Sequence, residues 1–374
     1  MIFNTTIVGG AAPTLITKSI TANGTYNAED DSADGYSSVS VTVPTVTATS
    51  LSVTSNGTYT APAGTAYTPV TVNVSGGGNN DFKAFIGRTS GSPSLPSDLT
   101  TIGNYAFYTW TNLALTSLPS TVTTIGDSAF YNCANLALTS LPSGVTTIGA
   151  SAFYGCKNLT LTSLPSTVTT IGTSAFSGCT NLALTSLPSS VTTLGGYAFY
   201  NCTNLELTNI PSSVNRLNSY VFYGCTKLVS ISGDGILQID SGAFLKCSSL
   251  ESARFPNASA SSLYSTTFGN STAASACTEL AVCDLGKTKQ IAANAFINCY
   301  KLRTLILRKT DAITTLANVS AFTNTPMNGY NSQTGTVYVP SALISTYQTA
   351  TNWSTLYNNG TVSFVAIEGS QYQI

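Results

Sequence analysis

The sequence predicts a mainly β fold: a solenoid of stacked 23-residue repeats with short helical turns, preceded by small β modules and closed by a β-α-β-like C-terminal cap. Three observations predict it. From Leu95 to about Ser232, blocks of 23 residues recur almost letter for letter, opened by Leu95, Leu118, Leu141, Leu164, Leu187 and Ile210. A fixed period of roughly 20–50 residues is the signature of stacked-repeat architectures. Each block carries its apolar residues at the same places, too few to enclose a core alone but enough to build a continuous one when coils stack. Beyond the repeats, the C-terminus reads strand, helix, strand.

Taken in order, residues 1–19 form an N-terminal extension, MIFNTTIVGGAAPTLITKS, without the basic start or long apolar core of a secretory leader. Residues 20–75 hold a second internal repeat. Ile20–Tyr26 (ITANGTY) is echoed by Val53–Tyr59 (VTSNGTY), and Tyr36–Val43 by Tyr67–Val74. The Asn-Gly pairs beside β-rich runs predict two small modules, each a hairpin or a three-stranded unit. Ser75–Asn80 (SGGGNN) reads as a flexible linker, and with residues 81–94 it forms a linker-and-cap segment.

The solenoid is expected over residues 95–325. In the block opened by Leu141, the inward set is Leu141, Val145, Ile148, Ala152, Phe153, Cys156, Leu159 and Leu161. Leu159–Thr162 alternates apolar and polar as a half-buried strand does. Val145–Ile148 reads as a second short extended segment, and Gly149 permits a turn. Ser151–Cys156 fits one helical or 3₁₀ turn, and Pro142 closes the strand region because it cannot donate to a ladder. Trp110 stands in the first block where later ones have cysteine, as expected of a coil closing the core's open end.

After Ile231 the period loosens. Ala243-Phe244 and Ala295-Phe296 keep the motif, a Ser/Ala-rich excursion fills residues 256–290, and Ser320–Phe322 reads as a last degenerate coil. Arg254, Lys287, Lys289, Lys301, Arg303, Arg308 and Lys309 gather here and are expected to be solvated surface, with a recognition edge as the alternative. Residues 326–374 are the C-terminal cap: a strand at Thr336–Val339, a helix from Pro340-Ser341 to about Tyr357, and a strand at Thr361–Val365.

The pattern Leu-Pro-Ser-x-Val-Thr-x-Ile-Gly-x-x-Ala-Phe-x-x-Cys-x-x-Leu resembles the BspA-type class of leucine-rich repeats, closely over residues 95–255 and more loosely to about 325. The resemblance implies a leucine-rich-repeat β-solenoid with a binding role, on surface proteins associated with adhesion, and no catalytic residues. The NGTY…GYSSVSVTVP modules resemble segments of tail and tail-fibre proteins of phages and prophages. That resemblance points to a virion component as the extracellular location, reached without an export signal. The alternative location is the bacterial cell surface.

Composition narrows function further. Only 8% of residues are charged, the net charge is −1 and histidine is absent. Without a basic patch nucleic acid is excluded as a partner, and no run is apolar enough to insert in a membrane. Without histidine there is no Ser-His or Cys-His pair, and Asp234 and Asp240, the nearest carboxylate pair, read as turn residues. The chain is therefore read as no enzyme, with no cofactor and no metal.

Cys133, Cys156, Cys179, Cys202 and Cys225 recur every 23 residues. Coils about 4.8 Å apart point equivalent Cβ atoms the same way, whereas a disulfide needs converging vectors, so a buried thiol ladder is expected. Cys277 and Cys283 are read as lying outside it, their pairing open. Asn112, Asn135, Asn158, Asn181 and Asn204 are expected to satisfy backbone groups.

The binding candidates are two exposed columns. Tyr108, Tyr131, Tyr154, Tyr200 and Tyr223 follow the motif Phe, with Ser177 in the gap, and could form an aromatic platform or simply fill space along the wall. Thr116, Thr139, Thr162, Thr185 and Thr208 should form an outward ladder beside Ala114, Ala137, Thr160, Ala183 and Glu206. Such an array can serve a partner or order water, though threonine also simply suits an exposed β position. Three functions remain: a tail-associated receptor-binding protein, a bacterial adhesin for host protein or glycan, and a structural spacer. The partners are a cell-surface protein or glycan and, through the N-terminal modules, other tail proteins; oligomerisation stays open.

Overall fold

The computed structural model describes residues 95, 97–259 and 262–374, and before them only the backbone of short strands. Six of those strands form two three-stranded sheets, Ile2–Thr5, Ser37–Thr42 and Thr14–Ser19 in one, Thr25–Tyr26, Ser50–Val53 and Thr71–Val74 in the other, while Asp81–Phe82 and Ser90–Gly91 pair in parallel with Thr101–Ile102 and Asn112–Leu113. The rest of the expected modules, the Gly-rich linker and most of the 81–94 cap lie outside the described residues.

The chain divides into two compact units, Met1–Thr180 and Asn181–Ile374. In the first, coils stack in parallel through two-residue strands at Thr101–Ile102, Thr124–Ile125, Thr147–Ile148 and Thr170–Ile171, residue opposite equivalent residue. The ladder thus runs along the Val-Thr-Thr-Ile segment. No strand is assigned over the Leu159–Thr162 stretch, although its burial alternates as expected: Leu159 and Leu161 inside, Thr160 and Thr162 outside. The Thr160 amide reaches the Leu138 carbonyl at 3.4 Å, and Pro142, two residues past Ser140, offers no donor, so the side-chain pattern of a strand is present without a ladder.

The Ser151–Cys156 segment keeps the i→i+3 bonds of a 3₁₀ turn, at every second residue. Ala152, Tyr154 and Cys156 amides donate within the coil to Gly149, Ser151 and Phe153, while Ser151, Phe153 and Gly155 donate to Thr173, Ala175 and Ser177 of the next coil at 2.7–2.8 Å. This alternation needs left-handed residues, found at Ser151 (φ 53°) and Gly155 (φ 70°). Asn and Gly, which tolerate that region, therefore alternate at the second site, as Asn132, Gly155 and Gly178. Gly149 is required for a different reason from the turn expected of it: a Cβ there would lie 2.7 Å from the Gly126 carbonyl carbon, so coils could not close up.

The core of the first unit is a column of fully buried rings. Phe107, Phe130, Phe153 and Phe176 stack with centroids 5.0, 5.2 and 5.4 Å apart and planes within 9°. Trp110, buried beside Phe107 at 5.7 Å, adds bulk at that column's start.

The second unit carries its own column, Phe199, Phe222, Phe244, Phe268, Phe296 and Phe322. Here a parallel sheet forms in the Leu-containing segment after all: Ser230–Ser232, Ser252–Arg254, Val282–Asp284, Thr304–Ile306, Gly335–Val339 and Val362–Ala366. The C-terminal cap is β-α-β-like, with the helical part in two pieces, α1 (Ile344–Thr349) and α2 (Trp353–Asn358). Asn352, at φ 67°, breaks what reads as one helix, and its side-chain amide donates to the Leu316 and Ala317 carbonyls. Trp353 Nε1 donates to Thr314 O at 2.8 Å, and Tyr347 Oη accepts from Thr314 N–H at 2.7 Å, so the cap is hydrogen-bonded to the last coils.

All nine cysteines are buried thiols rather than disulfides. The S–H groups of Cys133, Cys156 and Cys179 each donate to the carbonyl of the phenylalanine one coil earlier, at 3.0 Å. Cysteine suits this place as a small apolar residue with a weak donor. Cys277 belongs to the ladder, contrary to the expectation that it stands apart: its thiol donates to Phe244 O at 2.9 Å. The extra residues between Phe268 and Cys277 bulge out around a 3₁₀ turn at Ala273–Ser275 without breaking either column.

Asp240 opens a turn as expected, its carbonyl accepting from Ala243 N–H at 3.4 Å, and its buried carboxylate also accepts from Arg216 at 2.8 and 2.9 Å and from Gln238 at 2.7 Å. One further expectation is corrected. Arg308 and Lys309 are not solvated: their side chains are 10% and 13% exposed, and Arg308 donates three bonds to the fully buried Asp284.

Candidate functional site

The tyrosines follow from the turn. In the first unit, the Phe of each coil points in and in three coils the next residue is a half-exposed tyrosine, so Tyr108, Tyr131 and Tyr154 align with centroids 4.9 and 4.6 Å apart and planes 19° and 5° apart, while Ser177 in the fourth is buried. In the second unit Tyr200 and Tyr223 stack at 4.5 Å and 5°. Sequence reasoning passed over a parallel column three residues earlier: Tyr105 meets Tyr108 edge-on at 5.6 Å, while Tyr197 and Tyr220 stack at 5.0 Å beside Tyr200 and Tyr223. The signal was the i, i+3 repetition of tyrosine in three coils.

This geometry changes what the column offers. Face-to-face stacking covers each ring with the next, so the rows turn edges and hydroxyls outward rather than π faces. Burial, and then the phenols of Tyr154 and Tyr108, push the Tyr131 hydroxyl above its ordinary pKa.

Thr116, Thr139, Thr162, Thr185 and Thr208 are all exposed, as are Ala114, Ala137, Thr160 and Glu206. The asparagines bond along the stack rather than to backbone: Asn135 Nδ2 to Asn112 Oδ1 at 2.8 Å, Asn158 Nδ2 to Asn135 Oδ1 at 3.3 Å, and, in the second unit, Asn204 Nδ2 to Asn181 Oδ1 at 3.5 Å.

The threonine face of the second unit contains a concavity of about 420 Å³ lined by Glu206, Thr208, Lys227, Val229, Ser230 and Ser249. It lies where the ladder of the second unit ends, at strand Ser230–Ser232. The coil ending at Cys247 is one residue shorter than the one ending at Cys225, and short side chains (Thr208, Ser230, Ser249) fall together there. Longer ones stand around them. Lys227 Nζ faces Glu206 Oε1 at 3.7 Å, the side chains 56% and 51% exposed, and Val229 is 49% exposed. Of this group the sequence singled out only Glu206 and Thr208; Lys227 and Val229 hold the 23-residue spacing from Asn204 and Glu206 but change the residue type, so no constant column marked them.

Among the described residues, no group of three or more His, Cys, Asp or Glu could hold a metal ion, and no helix is long and apolar enough to cross a membrane.

Comparison with known proteins returned one family model and several solved structures; the comparison with curated proteins returned no match. The chain is similar to a T. pallidum leucine rich repeat protein, at 32% identity over 43% of this chain and 78% of that one, with a TM-score of 0.39. It is also similar to a leucine rich cell surface protein from Faecalibacterium prausnitzii A2-165, at 21% identity over 89% and 92% of the two chains, TM-score 0.42. A third is a leucine-rich repeat protein from Bacteroides ovatus ATCC 8483, at 22% identity over 83% and 92%, TM-score 0.38. The family model is that of the BspA type leucine rich repeat region, matched in six copies over residues 81–206 and 146–275. With more than half its length matched, and with parallel coils stacked on phenylalanine and cysteine columns, the chain belongs to the BspA-type leucine-rich repeat family.

Proposed function

We propose that the chain is a non-enzymatic recognition protein acting outside the cell, binding a cell-surface protein or glycan in adhesion. The observation that carries this reading is the outward periodicity: the coils that bury the phenylalanines also present aligned, uncharged Thr and Tyr columns, repeated from coil to coil. Repetition of one surface chemistry suits many weak contacts with a repetitive target, where linked contacts raise avidity above any single affinity. Family membership supports surface location and adhesion. The test is full-length chain on arrays of cell-surface glycans and host proteins, and on whole cells. Saturable binding supports the proposal; absence of any partner on all three leaves the structural-spacer reading.

A second reading is favoured by the duplicated NGTY modules, which resemble phage and prophage tail segments: a tail-associated receptor-binding protein anchored through residues 20–75. Co-sedimentation of the chain with virions in a density gradient, lost on deleting 20–75, supports it; a chain found only on bacterial envelopes places it as an adhesin.

A further inference from the structure

We propose that the concavity at Glu206, Lys227 and Val229 is a subsite for one neutral sugar residue. This rests on the recognition reading and narrows its ligand to a glycan. Charge comes first. Glu206 and Lys227 face each other at 3.7 Å, so the site carries no net charge, and an ionic ligand would have to displace one member of the pair. A neutral polyol need not. The carboxylate accepts from its hydroxyls and the ammonium donates to their oxygens, while Thr208, Ser230 and Ser249 supply groups that do both. With each side chain about half exposed, and the pair at the outer limit of contact, both keep bonding capacity for a ligand.

Shape and polarity agree. Val229 turns an exposed isopropyl group into the site, an apolar patch for the C–H face of a pyranose ring. The volume, about 420 Å³, falls in the range of small-molecule pockets. An extended peptide fits less well, because adding a strand requires unpaired backbone groups. Here Ser232 N–H donates to Thr208 O at 3.1 Å and Ser232 O accepts from Ile210 N–H at 2.7 Å, so the backbone groups of Ser232 on that flank are already used. Within the tyrosine rows the faces that meet between neighbouring rings are covered by one another.

The test uses full-length chain in saturation-transfer NMR and calorimetric titration. The probes are glucose, galactose, N-acetylglucosamine and N-acetylgalactosamine, with glycylglycine as zwitterion and glucuronate as anion. At least one neutral sugar should bind, with affinity changed less than about twofold between about 50 and about 500 mM salt, as expected for an uncharged ligand. Glu206→Gln and Val229→Asp should each weaken it by about tenfold or more, roughly the loss of one or two directed contacts. Glu279→Gln, in an ion pair elsewhere on the unit, should change nothing. Binding of the charged probes alone, steep salt dependence, or sugar binding indifferent to both pocket substitutions overturns the subsite. A partner captured on the arrays with equal strength by wild type and pocket variants overturns the subsite while leaving the recognition reading intact. No partner on any array overturns that reading itself.

Discussion

Replacing Phe153 by alanine tests the stacking at its centre. Phe153 is fully buried between Phe130 and Phe176, at 5.2 and 5.4 Å. Removing the ring loses its transfer free energy, two ring–ring contacts and, if the neighbours cannot move in, leaves a cavity. They cannot move in readily, because the spacing is set by backbone bonds: Phe130 N–H to Ala152 O and Phe153 N–H to Ala175 O, both 2.7 Å. The cost should therefore lie in the upper part of the range for buried aromatic truncation, about 4–5 kcal/mol. With a urea dependence of about 2–3 kcal/mol per molar, the midpoint should fall by roughly 1.3–2.5 M. Tyr154→Ala, in the same coil but half-exposed, should cost only about 1 kcal/mol, the order of its stack on Tyr131. Urea unfolding followed by circular dichroism measures both. A loss under about 1 kcal/mol for Phe153→Ala, or a larger one for Tyr154→Ala, would refute the assignment of inside and outside.

Deleting residues 141–163 should leave a folded, shorter protein, since each coil depends on its neighbours and the flanking ones are equivalent; loss of a cooperative unfolding transition would contradict this. Asp284→Ala should cost about 3–5 kcal/mol by leaving Arg308 buried without its carboxylate, whereas the double change Asp284→Leu with Arg308→Met should cost distinctly less. Thermal unfolding of both variants and wild type separates these outcomes. Alkaline pH should destabilise the protein through its thiols. Burial pushes the Cys133 thiol up from an ordinary value of 9.0 to about 12, and pushes Cys156 well above it too. The folded state thus holds protons that the unfolded state releases, so this stability is fully present below about pH 9 and is lost as pH rises toward 12, by about 1.4 kcal/mol per pH unit for each such thiol. A urea midpoint unchanged between pH 8 and about pH 10.5 would oppose it, as would labelling of these thiols in native protein by a thiol reagent at pH 8.

The coil was legible because its constraints are local and repeated. A phenylalanine at one fixed place in every block has only one consistent position, the stack interior, and a cysteine three residues on shares it. Trp110 was legible for the same reason, as the one departure in an otherwise constant column. Which extended segment bears the ladder was not. Val145–Ile148 and Leu159–Leu161 are both β-rich, and the choice depends on where successive coils bring their amides into register, which side-chain alternation does not report. Cys277 was misread because the rule Ala-Phe-x-x-Cys measures distance along the chain. The ladder measures distance across it, and a surface bulge separates the two without cost to the column.

Regularity also limits where recognition can reside. When coils are identical, each outward group finds its own copy one coil away. Asn135 bonds Asn112, and Tyr131 covers Tyr154. A self-matched column offers a partner the same edges, hydroxyls and methyl groups in every coil, which suits repeated weak contacts but sets no coil apart from the next. Unmatched chemistry appears only where the repeat departs from itself. In the second unit, Glu206 and then Val229 stand in the column that elsewhere holds Ala114, Ala137, Thr160 and Ala183, Lys227 stands in the asparagine column, and Ser230 and Ser249 lie beside them. The coils most like one another build the scaffold, and the least faithful copies are where selectivity for a ligand has room to arise.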